Sequence, residues 1–157
     1  MRKILATNRV ERQSLILAED RLELARPIMD RVKDALQELS SESLFIRLKA
    51  ANVLRKFVGL SELCAQYVFD NGGLECILDS LDGCNRGVGS TEVVIPLCSI
   101  MCSMIKFKTI KHKLGEERRK DMVQRCFHFM AAFYRISEVF MDLSTIVLAL
   151  EENCKPT

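Results

Sequence analysis

Proline and glycine are scarce in this sequence: three of its 157 residues are proline and seven are glycine. Both residue types interrupt helices, so their scarcity leaves long stretches free to be helical. An excess of one charge sign is also lacking, because the formal net charge is only +2. A surplus of this size does not by itself predict binding to nucleic acid.

The sequence also lacks an apolar segment long enough to span a bilayer. Its longest apolar run, around residues 93–105, is interrupted by Pro96, Ser99 and Ser103. The N-terminal residues lack the apolar run of a signal peptide, and the seven cysteines lack the spacing of secreted disulfide scaffolds. We therefore expect no membrane partner and a reducing compartment, which means a cytoplasmic or nuclear protein.

Motifs of catalysis and metal binding are missing as well. The histidines are His112 and His128, and no nucleophile elbow, P-loop or dinucleotide fingerprint occurs. Cys98 and Cys102 share a helix face, and Cys126 lies close to His128, but structural zinc sites normally contain paired Cys-x₂₋₄-Cys units. We interpret these cysteines as small core hydrophobes, and we predict no enzyme activity, no cofactor and no metal.

Apolar residues at helical spacing occur along nearly the whole sequence. One helix is predicted to end near Ala25 and another to begin near Pro27, while Ser40 and Ser41 are predicted to cap the next. Gly72 is expected in the left-handed conformation, and residues 82–90 are expected to form a flexible loop. The remaining predicted helices cover residues 42–58, 61–71, 74–81, 91–105, 107–117, 121–134 and 136–152.

The long predicted helices recur at a constant spacing. Leu54, Met101 and Leu148 hold the same place in three of them, 47 residues apart each time. A unit of about 40–47 residues with two or three helices is typical of HEAT and armadillo repeats. The sequence therefore predicts one domain, residues 1–157. The helix at 42–58 is apolar around much of its circumference, which predicts burial on several sides.

Two segments resemble the armadillo family. Leu48-Lys-Ala-Ala-Asn-Val-Leu54 looks like its third helix, and Gly72-Gly-Leu-Glu-Cys-Ile-Leu-Asp-Ser-Leu81 is similar to its first-to-second helix junction. The resemblance implies an all-α fold, a right-handed α-solenoid of about three armadillo-like repeats, at about residues 10–58, 61–105 and 107–152. Peptide-binding members of the family carry asparagine two residues after the conserved leucine. Here Lys56, Ser103 and Leu150 stand at those positions, so that mode of holding an extended peptide is not implied.

The resemblance implies a non-enzymatic scaffold or adaptor that binds a peptide or amphipathic helix of another protein through a concave groove or an exposed solenoid end. Open solenoid ends also offer a route to oligomerisation. Two alternatives stay open: a nucleic-acid-associated domain, and a purely structural helical domain of a larger protein. The residues expected to line the groove are Asn52, Arg55, Lys56, Ser99 and Ser103.

A cluster of seven basic residues, which we call the basic patch, is the largest charge feature of the sequence. We favour a solvated helix face over a docking surface for an acidic segment or nucleic acid. Only one aromatic residue, Phe107, lies within the patch, which argues against base stacking. The basic patch consists of Lys106, Lys108, Lys111, Lys113, Arg118, Arg119 and Lys120.

Overall fold

The computed structural model of the chain describes residues 26–84 and 88–151. These residues form helices and their connections, without a strand, as the sequence predicts. Helix α1 comprises residues 26–38, in agreement with the predicted start near Pro27, whereas the helix predicted to end near Ala25 lies outside the described residues. The other helices are α2 (Leu44–Val58), α3 (Glu62–Asp70), α4 (Gly73–Asp82), α5 (Val88–Ile105), α6 (Lys108–Lys113), α7 (Glu116–Ala132) and α8 (Ser137–Glu151).

The N-terminus of α2 is capped by a different serine from the predicted pair. Ser43 Oγ accepts a hydrogen bond from the backbone N–H of Ile46. Ser40 Oγ instead donates to the carbonyl of Gln37, and Ser41 Oγ accepts from the N–H of Ser43. The capping prediction is wrong because three closely spaced serines all offer hydroxyls, and the other two satisfy the turn between α1 and α2.

The two consecutive glycines between α3 and α4 are each required, for different physical reasons. Gly72 has a φ of +78°, which confirms the predicted left-handed position. Gly73 is held by packing, because a Cβ there would lie 2.4 Å from Val68 Cγ1 and 2.6 Å from the Val68 carbonyl oxygen. The sharp turn between α3 and α4 therefore needs glycine at both positions.

The connection between α4 and α5 is shorter than the loop predicted at residues 82–90. Helix α4 extends to Asp82, and α5 begins at Val88. The buried guanidinium of Arg47, on α2, donates to both the hydroxyl and the carbonyl oxygen of Ser80 near the end of α4. The same carbonyl oxygen also accepts from the backbone N–H of Gly83, so this carbonyl in the last turn of α4 is satisfied by a side chain and by the backbone. The glycine-rich composition overestimates the loop because Gly89 lies within the first turn of α5.

Helices α2, α5 and α8 pack side by side in the core, with α5 between the other two. Their buried positions on α2 and α5 correspond at a spacing of 47 residues, as predicted. Thus Leu54 and Met101 are both fully buried. The other corresponding buried pairs are Ala50 with Leu97, Ala51 with Cys98, and Val58 with Ile105.

The correspondence between α5 and α8 differs from the prediction by one residue. Leu148 is 62% exposed, whereas Val147 is buried. The counterpart of Met101 is therefore Val147, 46 residues further along the chain. The predicted equivalence of Leu148 with Met101 is therefore wrong by one residue, because hydropathy does not distinguish two adjacent apolar residues. The other buried pairs at this spacing are Leu97 with Leu143, Ile100 with Ile146, and Met104 with Leu150.

The first turn of α2 also departs from the prediction of burial on several sides. Leu44, Phe45 and Ile46 are exposed, while Leu54 and Val58 nearer the other end of the helix are buried. The difference follows from packing, since α5 and α3 contact α2 and the buried residues lie at i, i+3, i+4 spacing.

Polar contacts join α3 and α4 to α6 and α7, and we call this set the outer seam. Five pairs of hydrogen-bonded side chains form it, and helices α6 and α7 therefore lie against α3 and α4. Four pairs join residues 43 positions apart: Gln66 with Thr109, Asp70 with Lys113, Glu75 with Arg118, and Asp82 with Arg125. The fifth joins Glu62 to Thr109, 47 positions apart.

Candidate partner-binding groove

The five residues expected to line a groove lie on one face of the layer formed by α2, α5 and α8. This face turns away from α3, α4, α6 and α7. Arg55 and Ser99 lie in one depression, which also reaches α8. Ser103 lies in a second depression at the C-terminal ends of α2 and α5. Asn52 and Lys56 line neither depression; they are exposed on α2, one helical turn apart. We call this surface the groove face.

The first depression, of about 360 Å³, brings opposite charges together. Arg55 contributes a guanidinium from α2, and Glu138 and Asp142 contribute carboxyl groups from α8. Ser99 adds a hydroxyl from α5. A depression with both charge signs and hydroxyls can bind polar groups of either sign on a partner surface. Its complete lining is Arg55, Ile95, Ser99, Ser137, Glu138, Met141 and Asp142.

Asp142 has the perturbed carboxyl group of this depression. Partial burial raises its pKa above the ordinary 3.8, and the nearby carboxylate of Glu138 raises it further, while Lys106 and Arg55 act in the opposite direction. The Cys102 thiol shares a hydrogen bond with the Asp142 carboxyl group. Since Cys102 is on α5, this bond links the two helices directly beneath the groove face.

The second depression, of about 300 Å³, lies where α2 and α5 end. Ser103 and Lys106 line it from α5 and the turn that follows, and Gly59 and Ser61 line it from the turn after α2. Lys106 was grouped with the basic patch on sequence proximity. The structure places it on the groove face instead, so the groove carries a cation at this end.

The basic patch does not form one free cationic surface. Lys113 Nζ lies 2.9 Å from an Asp70 carboxylate oxygen. Arg118 is paired with Glu75, and its guanidinium lies 5.5 Å from the centre of the Phe69 ring.

The remaining members of the patch differ in their surroundings. Arg119 donates to the backbone carbonyl of Lys111. Lys108 and Lys120 are exposed and form no ion pair with any residue in the described ranges. Lys113 and Arg118, two of the seven residues of the basic patch, are thus paired with acidic residues within the outer seam.

Sequence reasoning missed the acidic partners in the outer seam, namely Asp70, Glu75 and Asp82. A signal was present, because each acidic residue is followed by a basic residue 43 positions later. The same offset separates Gly72 from Gly115, which precede α4 and α7. Searching for complementary charge at a constant offset, rather than for identical residues, would have found the seam.

The cysteines of α5 and α7 lie in the core. Cys98 and Cys126 are fully buried, and burial raises the pKa of the Cys126 thiol to about 12. Burial also raises the pKa of Cys98. Residues 26–84 and 88–151 contain no group of three or more metal-ligating side chains. His112 and His128 are exposed on α6 and α7.

No protein-family model matches this sequence, and neither a curated protein nor a solved structure shows significant similarity to it. The fold therefore defines the class of protein only as all-helical. Within the part of the chain that the structure describes, no helix combines the length and apolar character needed to cross a bilayer.

Proposed function

We propose that this chain is a small armadillo-like α-solenoid that acts as a non-enzymatic scaffold or adaptor. It binds a peptide or helix of another protein along the groove face. The observation that carries the proposal is the side-by-side packing of α2, α5 and α8, which aligns three polar helix faces into one surface.

Repetition within the chain supports the solenoid part of the proposal. Equivalent helices pack on each other in chain order, α2 on α5 and then α5 on α8. Four pairs of the outer seam share an offset of 43 residues. Stacking of equivalent units on their neighbours is the principle of helical repeat proteins.

The chemistry of the groove face supports recognition of a polar or amphipathic partner. Lysine, arginine and two carboxyl groups lie among serine hydroxyls and the apolar side chains of Ile95 and Met141. The asparagine ladder of peptide-binding armadillo proteins is absent, and the corrected register gives the same result. In that register, Ala149 replaces Leu150 as the counterpart of Lys56 and Ser103.

The test is co-purification of partners with the tagged chain from its native cell extract. We expect the double variant Asn52→Ala with Lys56→Glu to lose a protein partner that the wild type retains. Both residues are exposed, so circular dichroism should report an unchanged fold.

A matched control is available on α7. Gln124→Ala with Lys120→Glu makes the same two chemical changes at exposed positions four residues apart, away from the groove face. The control should keep the partner. Retention by both variants, or loss from the control alone, contradicts binding through the groove.

A further inference from the structure

One side of α8 is apolar and uncovered in the described part of the chain. Phe140, Met141 and Leu148 are 40%, 65% and 62% exposed. At about 3.6 residues per turn they lie on one stripe, centred on Ser144. We call this stripe the end face. It consists of Ser137, Phe140, Met141, Ser144, Leu148 and Glu151.

The corresponding side of α5 is covered. Val94, Cys98 and Cys102 stand 46 residues before three members of the end face, and all three are buried because α8 packs against α5. On α2 the corresponding Arg47 and Ala51 are buried, and α5 packs against α2, whereas Arg55, the counterpart of Cys102, is exposed. The end face therefore repeats a surface that a helix covers on α5 and covers in part on α2.

The end face is self-complementary when two copies of α8 run antiparallel. A two-fold axis at Ser144 sets Phe140 of one copy opposite Leu148 of the other, since each lies four residues from the axis. Serine at the crossing point allows the helices to approach closely. Its hydroxyl donates to the Phe140 carbonyl oxygen at 2.7 Å, so it needs no partner across the interface.

Charges at the ends of α8 match in the same arrangement. Glu151 and Ser137 each lie seven residues from the axis, so Glu151 of one copy meets the first turn of α8 in the other. That turn is the positive end of the helix dipole, and the exposed Arg135 precedes it. Antiparallel pairing therefore places Glu151 near Arg135 at both ends of the interface, with the Glu138 carboxylate of the same first turn about 100° around the helix from the stripe.

We propose that a second copy of this chain covers the end face, forming a two-fold symmetric dimer with antiparallel α8 helices. Glu138 and Asp142 lie outside the stripe, whereas Ser137 and Met141 belong both to the stripe and to the first depression, so the dimer interface borders the groove face along α8. The dimer rests on the stacked-helix part of the proposed function and does not require groove binding.

Sedimentation velocity of the full chain over a range of concentrations tests the dimer. The wild type should sediment as a concentration-dependent dimer, and Leu148→Glu should sediment as a monomer with an unchanged circular dichroism spectrum. Leu63→Glu on α3 is the matched control, because Leu63 is 77% exposed but lies away from the end face. A wild type that is monomeric at every concentration, or a Leu148→Glu variant that remains dimeric, overturns the proposal.

A charge exchange tests the antiparallel arrangement itself. Glu151→Arg should shift the equilibrium toward monomer, and adding Arg135→Glu to the same chain should restore the dimer. Failure of the second change to restore it contradicts the pairing of helix ends. A monomeric wild type that still co-purifies with a groove partner overturns the dimer alone, whereas a dimer without a groove partner overturns the proposed function alone.

Discussion

Helices α2, α5 and α8 stack on one another through different chemistry from that which joins α3 and α4 to α6 and α7. The contacts at the centre of α2, α5 and α8 are apolar and buried, as at Leu54, Met101 and Val147. The outer seam between α3–α4 and α6–α7 is polar, and its ion pairs are partly exposed to solvent. The helices are thus joined by an apolar layer on one side and by a line of polar pairs on the other.

The two layers contribute differently to the fold. Burial of large apolar side chains stabilises a protein by kilocalories per residue, whereas solvent-exposed ion pairs contribute about 0–1 kcal/mol each. An apolar side chain can pack against many different apolar partners. Opposite charges at a fixed offset favour a single alignment of the helices that carry them. We infer that packing among α2, α5 and α8 supplies most of the stability. The outer seam helps to align α6 and α7 with α3 and α4.

The largest expected effect comes from truncating the centre of the apolar layer. Met101→Ala should lower the free energy of unfolding by about 2–5 kcal/mol, because it leaves a cavity in a fully buried site. Leu148→Ala should cost much less, since its side chain is mostly exposed. Urea unfolding of both variants measures the difference. Equal losses of stability would support the equivalence of Met101 with Leu148, 47 residues apart. They would contradict its equivalence with Val147, 46 residues apart.

An intermediate effect is expected at the turn between the short helices. Gly73→Ala should destabilise the protein by about 1–3 kcal/mol, because the added Cβ would collide with the backbone and side chain of Val68. Gly115→Ala is the control: Gly115 precedes α7 with a φ of −71°, and a Cβ there meets nothing within 4 Å. Thermal unfolding that ranks Gly115→Ala as the more damaging change would contradict the close packing of Gly73 against Val68.

The smallest expected effect concerns Asp142, a partly buried residue of α8 that lines the first depression of the groove face. Burial raises the pKa of Asp142, so folding favours its protonated form. The free energy of unfolding therefore falls as pH rises from the ordinary value of 3.8 through the raised value in the fold. Asp142→Asn should remove this step and be more stable than the wild type at neutral pH.

Urea unfolding of Asp142→Asn and wild type at a series of pH values measures the effect. The difference in stability between the two proteins should shrink as the pH falls below 3.8, where the wild-type carboxyl group is neutral in both states. A difference that does not change with pH would show that Asp142 titrates alike in the folded and unfolded chain.

Helix order and most helix ends could be predicted from the sequence because they depend on local signals. Ser61 caps α3 through the N–H of Cys64, and Gly72 adopts the expected left-handed conformation. Local signals were insufficient where several residues offered the same chemistry, as with the serines before α2. They also could not choose between Val147 and Leu148, since only contact with α5 and α7 decides which of them is buried.

Part of the candidate site could also be predicted from local signals in the sequence. Helical periodicity places Ser99 and Ser103 on one side of α5, one turn apart, and both lie in depressions of the groove face. Glu138 and Asp142 were missed because their relation to Arg55 exists only across packed helices. The basic patch was misjudged because sequence proximity did not reveal that Lys113 and Arg118 face acidic residues of the preceding unit.

The central claim is that α6 and α7 stack on α3 and α4 at a 43-residue offset, and zero-length carbodiimide crosslinking tests it most directly. The reagent joins a lysine amine to a carboxyl group in contact with it, and Lys113 Nζ lies 2.9 Å from Asp70. Mass spectrometry of the digested protein should find the Asp70–Lys113 crosslink in the wild type and lose it in Asp70→Asn. Crosslinks from Lys113 only to its sequence neighbours Glu116 and Glu117, with none to Asp70, would contradict the stacked architecture.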